Sequence, residues 1–415
     1  AEPRASLAQH YEGYYLFFGA HPDNEEPFYS VDAQGLTHDE SNWFITQLQD
    51  LWKIPVEYDL GEQGVATSDP GVLHVHISDA PLGQLGYKHF GDPDHHKGYV
   101  LVPVGFQDEQ PNGILLFKGA DLSYVGRALL PTGVEDGGWV AVDTAGYIYT
   151  SPDNLTSIQR YSLDWDSVKS GPQGFTLSLT LESDIEVVDE NGAPLNLGLM
   201  AGGVFSPSGD LAYIVTGGMC LDCPHGVDID VDWMKEHAGI HVFDTRSQPW
   251  RRIQKSTNGS GYFNYKFEPG LLGGCDEPEG ITMWDLDEVP NANASMRGRG
   301  QLHVFMLDND GAEDDDVSLY HYLNTIYVNP SYADEETGEP HKPFRTVDGA
   351  YSMAWNGSRI KIESGSYQEA FTFAKQIQLL AKDGTVLLGG LGQLSLTTSA
   401  AVNLYSGGSL KLSGQ

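Results

Sequence analysis

The strongest constraint in this sequence is the loose repetition of one unit. Each copy is a short strand-type run, a polar turn with Gly or Asp, an aromatic-rich strand and a further strand. The clearest copies are 139–150 followed by 158–163, and 203–215 followed by 239–244. Looser copies begin at 38, 89 and 279, so the starts lie roughly 50 to 75 residues apart. Trp43-Phe-Ile-Thr46, Tyr99-Val-Leu-Val102, Gly113-Ile-Leu-Leu-Phe117 and Leu302-His-Val-Phe-Met306 are typical strand runs, punctuated by Gly, Pro and Asp. No long amphipathic helix precedes residue 340; Asp232–Ala238 alone reads as a short helical turn. A unit of this size cannot bury both faces by itself, so the copies must pack on one another.

This grammar resembles the blades of β-propellers. The five starts predict a five-bladed ring over residues 1–322, or a six-bladed one if 170–200 holds a further blade around Gly174-Phe-Thr-Leu-Ser-Leu-Thr-Leu181. Tyr11-Glu-Gly-Tyr-Tyr-Leu-Phe-Phe18 reads as the strand that closes the ring with the last blade. A β-sandwich with long loops is the alternative arrangement.

Residues 323–415 change character. Ile326-Tyr-Val-Asn-Pro-Ser331, Lys342-Pro-Phe-Arg-Thr-Val347, Ile360-Lys-Ile-Glu-Ser-Gly-Ser-Tyr-Gln-Glu369 and Lys382-Asp-Gly-Thr-Val386 form an ordered series. It resembles the N-terminal portion of right-handed parallel β-helix proteins of the pectate-lyase-like superfamily. Val347, Ala350, Tyr351 and Ala354 have the spacing of a small helix capping the solenoid, with Thr346 as its N-cap. The segment is short and lacks a Lys/Arg/Asp cluster on later coils, so lyase activity does not follow from the resemblance. The expected fold is therefore all-β: a propeller followed by a short parallel β-helix.

Composition narrows the function. The 415 residues carry 23 Lys+Arg against 58 Asp+Glu, a net charge of −35. That surface is a poor match for nucleic acid or anionic membranes, which both require a cationic footprint. No apolar run is long enough for a membrane span. The start at Ala1-Glu-Pro, with no Met, reads as a mature secreted or periplasmic bacterial protein. Asp exceeds Glu, which favours turns, caps and calcium.

Several constellations suit a cation. Asp308-Asn-Asp-Gly-Ala-Glu-Asp-Asp-Asp316 is the densest carboxylate run; Asp308, Asp310, Glu313 and Asp314 are its candidate calcium ligands. Its Gly311 comes two positions too early for an EF-hand, and Leu319 stands where that loop has Glu. A solvated acidic loop is the alternative. Asp228, Asp230 and Asp232 alternate, so they share one face if the segment is extended. Cys220, Cys223 and Cys275 provide a disulfide with one thiol left over, or a weak metal site with His225.

Inner-strand entries of a propeller converge on its axis. That makes His38, His89, Asp92, Glu277 and Glu279 the candidates for a cation site or an acid–base pair. Strand capping between blades is the competing role for the same residues. Glu277-Pro-Glu279-Gly280 resembles the entry motif of calcium-dependent lactonase-type and phytase-like propellers. No Gly-x-Ser-x-Gly elbow, phosphate-binding Gly loop or His-Glu-x-x-His occurs. Two functions fit: a secreted, calcium-stabilised adhesion module whose 8 Trp and 21 Tyr bind extracellular polysaccharide or a protein partner, or a metal-dependent lactonase, phosphoesterase or glycosidase working in the channel.

Overall fold

The computed structural model describes residues 10–19, 29, 33–60, 65–105, 112–130, 138–152, 155–170, 174–198, 200–207, 209–217, 239–255, 276–286, 289–293, 301–308, 316–334, 336, 338, 343–354, 358–369, 371–373, 377–382, 384–389, 394–396 and 404–405. Among the described residues 54 % lie in strands and 6 % in helices, so the fold is nearly all β, as the repeat predicts.

The described strands form successive antiparallel meanders. The first sheet is Ala33–His38, Asn42–Gln47, Asp50–Pro55 and Leu73–His76. The second has an inner run broken into His89–Phe90 and Asp94–His96, then Tyr99–Gly105, Gly113–Lys118 and Tyr124–Leu129. Ala141–Val142, Ile148–Thr150, Ser157–Leu163 and Leu179–Val188 make the third; Met200–Phe205, Leu211–Thr216, Gly239–Asp244 and Trp250–Lys255 make the fourth. In the fifth, Asp276–Met283, Leu302–Asp308 and Asp316–Val328 are completed by the N-terminal strand His10–Gly19, antiparallel to Asp316–Val328. The chain start thus supplies the outer strand of the last sheet, as expected of a ring closed by its two ends.

Apolar packing closes the circle. One cluster joins Phe44 and Leu51 to Phe90, Val100 and Phe117, tying the first sheet to the second. Others tie second to third through Leu116 and Tyr161, third to fourth through Trp139 and Ile214, and fourth to fifth through Tyr213 and Val304. A last cluster sets Trp43 and Trp52 against Phe305 and Leu319, joining the fifth sheet back to the first. With both faces covered, strands such as Leu211–Thr216 are buried along their whole length and read as continuous apolar runs instead of alternating ones. The arrangement is propeller-like.

Residues 174–181 do not begin a further sheet. Phe175–Leu177 lies parallel to the outer edge of the second sheet, and Leu179 onward is the last strand of the third. The same segment then runs parallel to Trp250–Arg251 of the fourth through Val187–Val188, so it binds three sheets together from outside.

The last strand of the fifth sheet continues without a break into the C-terminal part. Thr325–Val328 pairs in parallel with Arg359–Ile362, and Ser358–Ile362 in turn with Ile377–Ala381. Gly365–Tyr367 with Val386–Leu388 and Phe371–Phe373 with Leu394–Leu396 form two more parallel ladders. Helix Val347–Met353 buries Val347 and Ala350 against Ile326, Val328, Phe344 and Ile360. Its N-terminus is held twice: Thr346 Oγ1 accepts from the Gly349 amide, and the Glu369 carboxylate accepts from the Val347 and Asp348 amides.

Candidate functional site on the ring axis

Asp92 sits where the inner strands converge, with no exposed surface. Its Oδ1 accepts from the Leu36 amide at 3.1 Å and its Oδ2 from the Gly203 amide at 3.3 Å, with a further backbone bond from Ile281. Its own amide donates to Gly138 O and its carbonyl accepts from Val140 N, so the residue touches all the other sheets. Glycine makes this approach possible. A Cβ on Gly35 or Gly280 would stand 2.5 Å from Asp92 Oδ1, and one on Gly202 would stand 2.5 Å from Oδ2. In each of those three strands the register shifts at the residue before the glycine (Gln34, Ala201 and Glu279), a bulge that turns bare backbone toward the axis. At this level the axis is filled by one carboxylate and a collar of glycine. Burial raises the Asp92 carboxyl well above the usual carboxylate range, against the pull of its amide donors.

The other sequence candidates separate to either side of this plug. Gln34 and Glu279 precede the axial glycines, while His38 and Met283 follow them by three residues, in register across the first and fifth sheets. His89 stands on the Gln34 side, its Nε2 donating to Gln34 Oε1 at 2.7 Å. Glu277 pairs by backbone with Leu307 at the same end, and Glu279 is half-buried there. His38 is at the opposite end: its Nδ1 lies 2.8 Å from Asp39 O and its Nε2 2.9 Å from Met283 O, with the ring stacked on Trp284 at 4.3 Å. Burial holds the His38 ring below the usual histidine range. The structure therefore puts His89, Glu279 and the backbone of Glu277 toward one end of the axis and His38 toward the other.

Asp94 and His95 belong to the His/carboxylate cluster Asp92-Pro-Asp94-His95-His96, which as a sequence reads as a solvated turn and a weaker metal-site candidate; His303 has no such local signal. Asp94 is two residues beyond Asp92 on the His38 side; its Oδ2 accepts from Val142 N at 2.6 Å and its Oδ1 from His95 N and Thr37 Oγ1. Desolvation pushes its carboxyl up to about 7, with those donors opposing. His95, stacked on Phe44, is pushed down to about 4 by burial. His303 donates to Trp284 O at 2.8 Å, packs edge-on to Trp43, and is likewise lowered to about 4. The adjacent Asp92-Pro-Asp94-His-His96 run was visible as a cluster, but only the fold shows which carboxylate is sealed and which reaches the mouth.

Asp310, Glu313, Asp314, Asp228, Asp230, Asp232, Cys220, Cys223, Cys275 and the 232–238 turn lie outside the described residues. Their flanks are informative. Asp308 pairs with Asp316, and Asp276 with Asp308, so three aspartates stand abreast on neighbouring strands at the Glu277 end. Among the described residues no group of three or more His, Cys, Asp or Glu is disposed to hold a metal ion, and no helix is long and apolar enough to cross a membrane.

No family model matches the chain, and no curated relative matches it. Among solved structures it is similar to a GH43 β-xylosidase/α-arabinofuranosidase from a compost microbial metagenome, in complex with xylotriose and calcium-free. The identity is 12 %, with 74 % of this chain and 95 % of that one covered and a TM-score of 0.40. It is also similar to an α-L-arabinofuranosidase of Podospora anserina in complex with cellotriose, at 10 % identity, 76 % and 97 % coverage and a TM-score of 0.41. An auxiliary nutrient binding protein of Bacteroides thetaiotaomicron matches at 13 %, covering 70 % and 59 %, with a TM-score of 0.34. Scores this low carry no argument about substrate, so function rests on the residues of this chain.

Proposed function

We propose that the chain is a five-bladed β-propeller over 1–322 carrying a short right-handed β-helix over 323–415, and that it is a secreted or periplasmic glycan-binding module. The observation that carries the binding reading is the state of Asp92. A channel hydrolase needs an open cation or an acid–base pair on the axis. Asp92, the most central of the candidate acids, instead spends both oxygens on backbone amides within a closed glycine collar. His38 is bracketed by two carbonyl oxygens and His89 by Gln34. This weighs against the lactonase, phosphoesterase or glycosidase alternative, which would have to use Glu277 and Glu279.

Calcium belongs to the reading as a stabiliser. Asp276, Asp308 and Asp316 stand abreast, and the run through Asp310, Glu313 and Asp314 joins two of them. Carboxylates this dense along the sequence repel one another, and a shared cation would offset that repulsion. Asp228, Asp230 and Asp232 fall between Thr216 and Gly239, which pair at the ends of their strands, and are a second candidate set. Cys220, Cys223 and Cys275 are assigned to a disulfide plus a free thiol.

A polysaccharide panel tests the function. The protein is incubated with neutral polysaccharides, with and without calcium, and both retention and release of reducing ends are measured. Retention without release supports the module; release of new ends supports the hydrolase instead.

A further inference from the structure

A second feature lies at the mouth where the inner strands finish, on the seam between the second and third sheets. Trp165 opens the helix Trp165–Ser170 that follows the third strand of the third sheet. Its indole Nε1 donates to Gly146 O at 2.9 Å, so the ring is held in one orientation while part of it stays exposed. Gly146 has φ +91°, and a Cβ there would stand 2.9 Å from the indole nitrogen, so only glycine lets the ring sit this close to the turn. From the second sheet, the hairpin His96-Lys97-Gly98-Tyr99 reaches across. His96 lies 4.8 Å from the indole, Tyr99 6.4 Å, and Lys97 Nζ is 5.7 Å from the ring centroid. Both turn residues have positive φ (Lys97 51°, Gly98 84°), which fixes a tight two-residue turn and sets the lysine beside the ring. Among the described residues, His96 Nε2 is buried with no hydrogen-bond partner.

We infer that Trp165, with His96, Lys97 and Tyr99, is a stacking subsite for a pyranose ring of a neutral glycan; this rests on the binding-module reading above and gives it a place. The negative face of a fixed indole attracts the C–H face of a sugar ring, and a pre-oriented ring loses little freedom on binding. Hydroxyl groups need donors and acceptors together. Lys97 supplies a donor, and Asp164 and Asp166 supply exposed carboxylates. A uronic or sulfated sugar meets one nearby lysine on a chain of net charge −35, so charge selects against it.

The test is calorimetric titration of the full chain with mannohexaose, cellohexaose and xylohexaose, set against trigalacturonate. The wild type is expected to bind at least one neutral hexaose more tightly than the uronide. Trp165→Ala should weaken that binding about tenfold, and Trp165→Tyr should recover most of it. Lys97→Ala, at an exposed turn that does not endanger folding, should weaken it a few-fold. If a neutral hexaose binds equally well to wild type, Trp165→Ala and Lys97→Ala, the subsite is wrong while the binding module stands. Tighter binding of trigalacturonate overturns the neutral-glycan assignment. If no glycan binds the wild type, both readings fall.

Discussion

Asp92 and Gly280 meet on the axis so closely that a Cβ on the glycine would stand 2.5 Å from the Asp92 Oδ1 atom. The pair links the second sheet to the fifth across the middle of the ring, and Gly35 and Gly202 make the same approach from the first and fourth. A buried carboxylate carries a large desolvation cost, offset here by amides from three different sheets. The residue acts as a hub that holds the inner strands in register.

Substituting the collar should therefore be costly. Gly202→Ala or Gly280→Ala drives a methyl into both a carboxylate and neighbouring backbone, which cannot step aside as a flexible side chain could. A loss of about 3 kcal/mol is expected for each, read from urea unfolding midpoints. Gly98→Ala is the control for space: a Cβ there meets nothing within 4 Å, so its cost is limited to backbone strain at φ +84°.

Replacing the hub itself separates charge from shape. Asp92→Leu leaves buried amides without acceptors and should cost roughly 3–5 kcal/mol. Asp92→Asn keeps one carbonyl oxygen and should cost less than half as much. Equal losses in the two variants would show that the amide bonds contribute little.

Asp94 makes stability depend on pH in a calculable direction. Its folded-state carboxyl titrates near 7, above the unfolded value near 3.9, so the folded state retains a proton that the unfolded chain has released. Stability from this group is thus present at low pH and lost as pH rises toward and through 7. His95 and His303, both near 4 when folded, act the other way. The informative quantity is accordingly the difference between proteins: Tm of Asp94→Asn minus Tm of wild type should grow between pH 5 and pH 8. A constant difference contradicts the assignment.

In the C-terminal part, the Glu369 carboxylate holds the start of the Val347–Met353 helix from 22 residues away in sequence. Glu369→Ala should destabilise this part by about 1–2 kcal/mol, seen as earlier amide exchange at 326–328 and 347–353.

Calcium removal supplies a further check. If the aspartates abreast at 276, 308 and 316 share a cation, chelation should lower Tm and added calcium should restore it, by about 2.7 kcal/mol at a hundredfold excess over Kd. An unchanged midpoint on chelation would remove the cation from the account.

Much of the scaffold was legible because strands, turns and repeats are local. The units around 139–163 and 203–244 announced their meanders, and the Tyr11–Phe18 run announced a closing strand. The excess of aspartate was readable as turn chemistry. Asp39, Asp143, Asp189 and Asp244 each accept backbone amides two or more residues further on, fixing the turn that follows. The axis was harder. Gly35, Gly202 and Gly280 look like any strand glycine, and only the three-dimensional convergence of separate sheets shows that one carboxylate occupies the space their side chains would take. For the same reason Asp92 was visible as a residue that either binds a cation or bridges blades, while the choice between the two was not. His38 and His89 share a residue type yet lie at opposite mouths, because one follows the axial level along its strand and the other precedes it.

The most direct measurement is titration of the full chain with the neutral polysaccharide that best retains it, followed by chain-length analysis of the recovered glycan. The account predicts saturable binding with the chain length unchanged, in wild type and in Glu277→Gln/Glu279→Gln alike. Shortening of the glycan by the wild type, abolished in that double variant, would contradict it and place a hydrolase at the mouth beside His89.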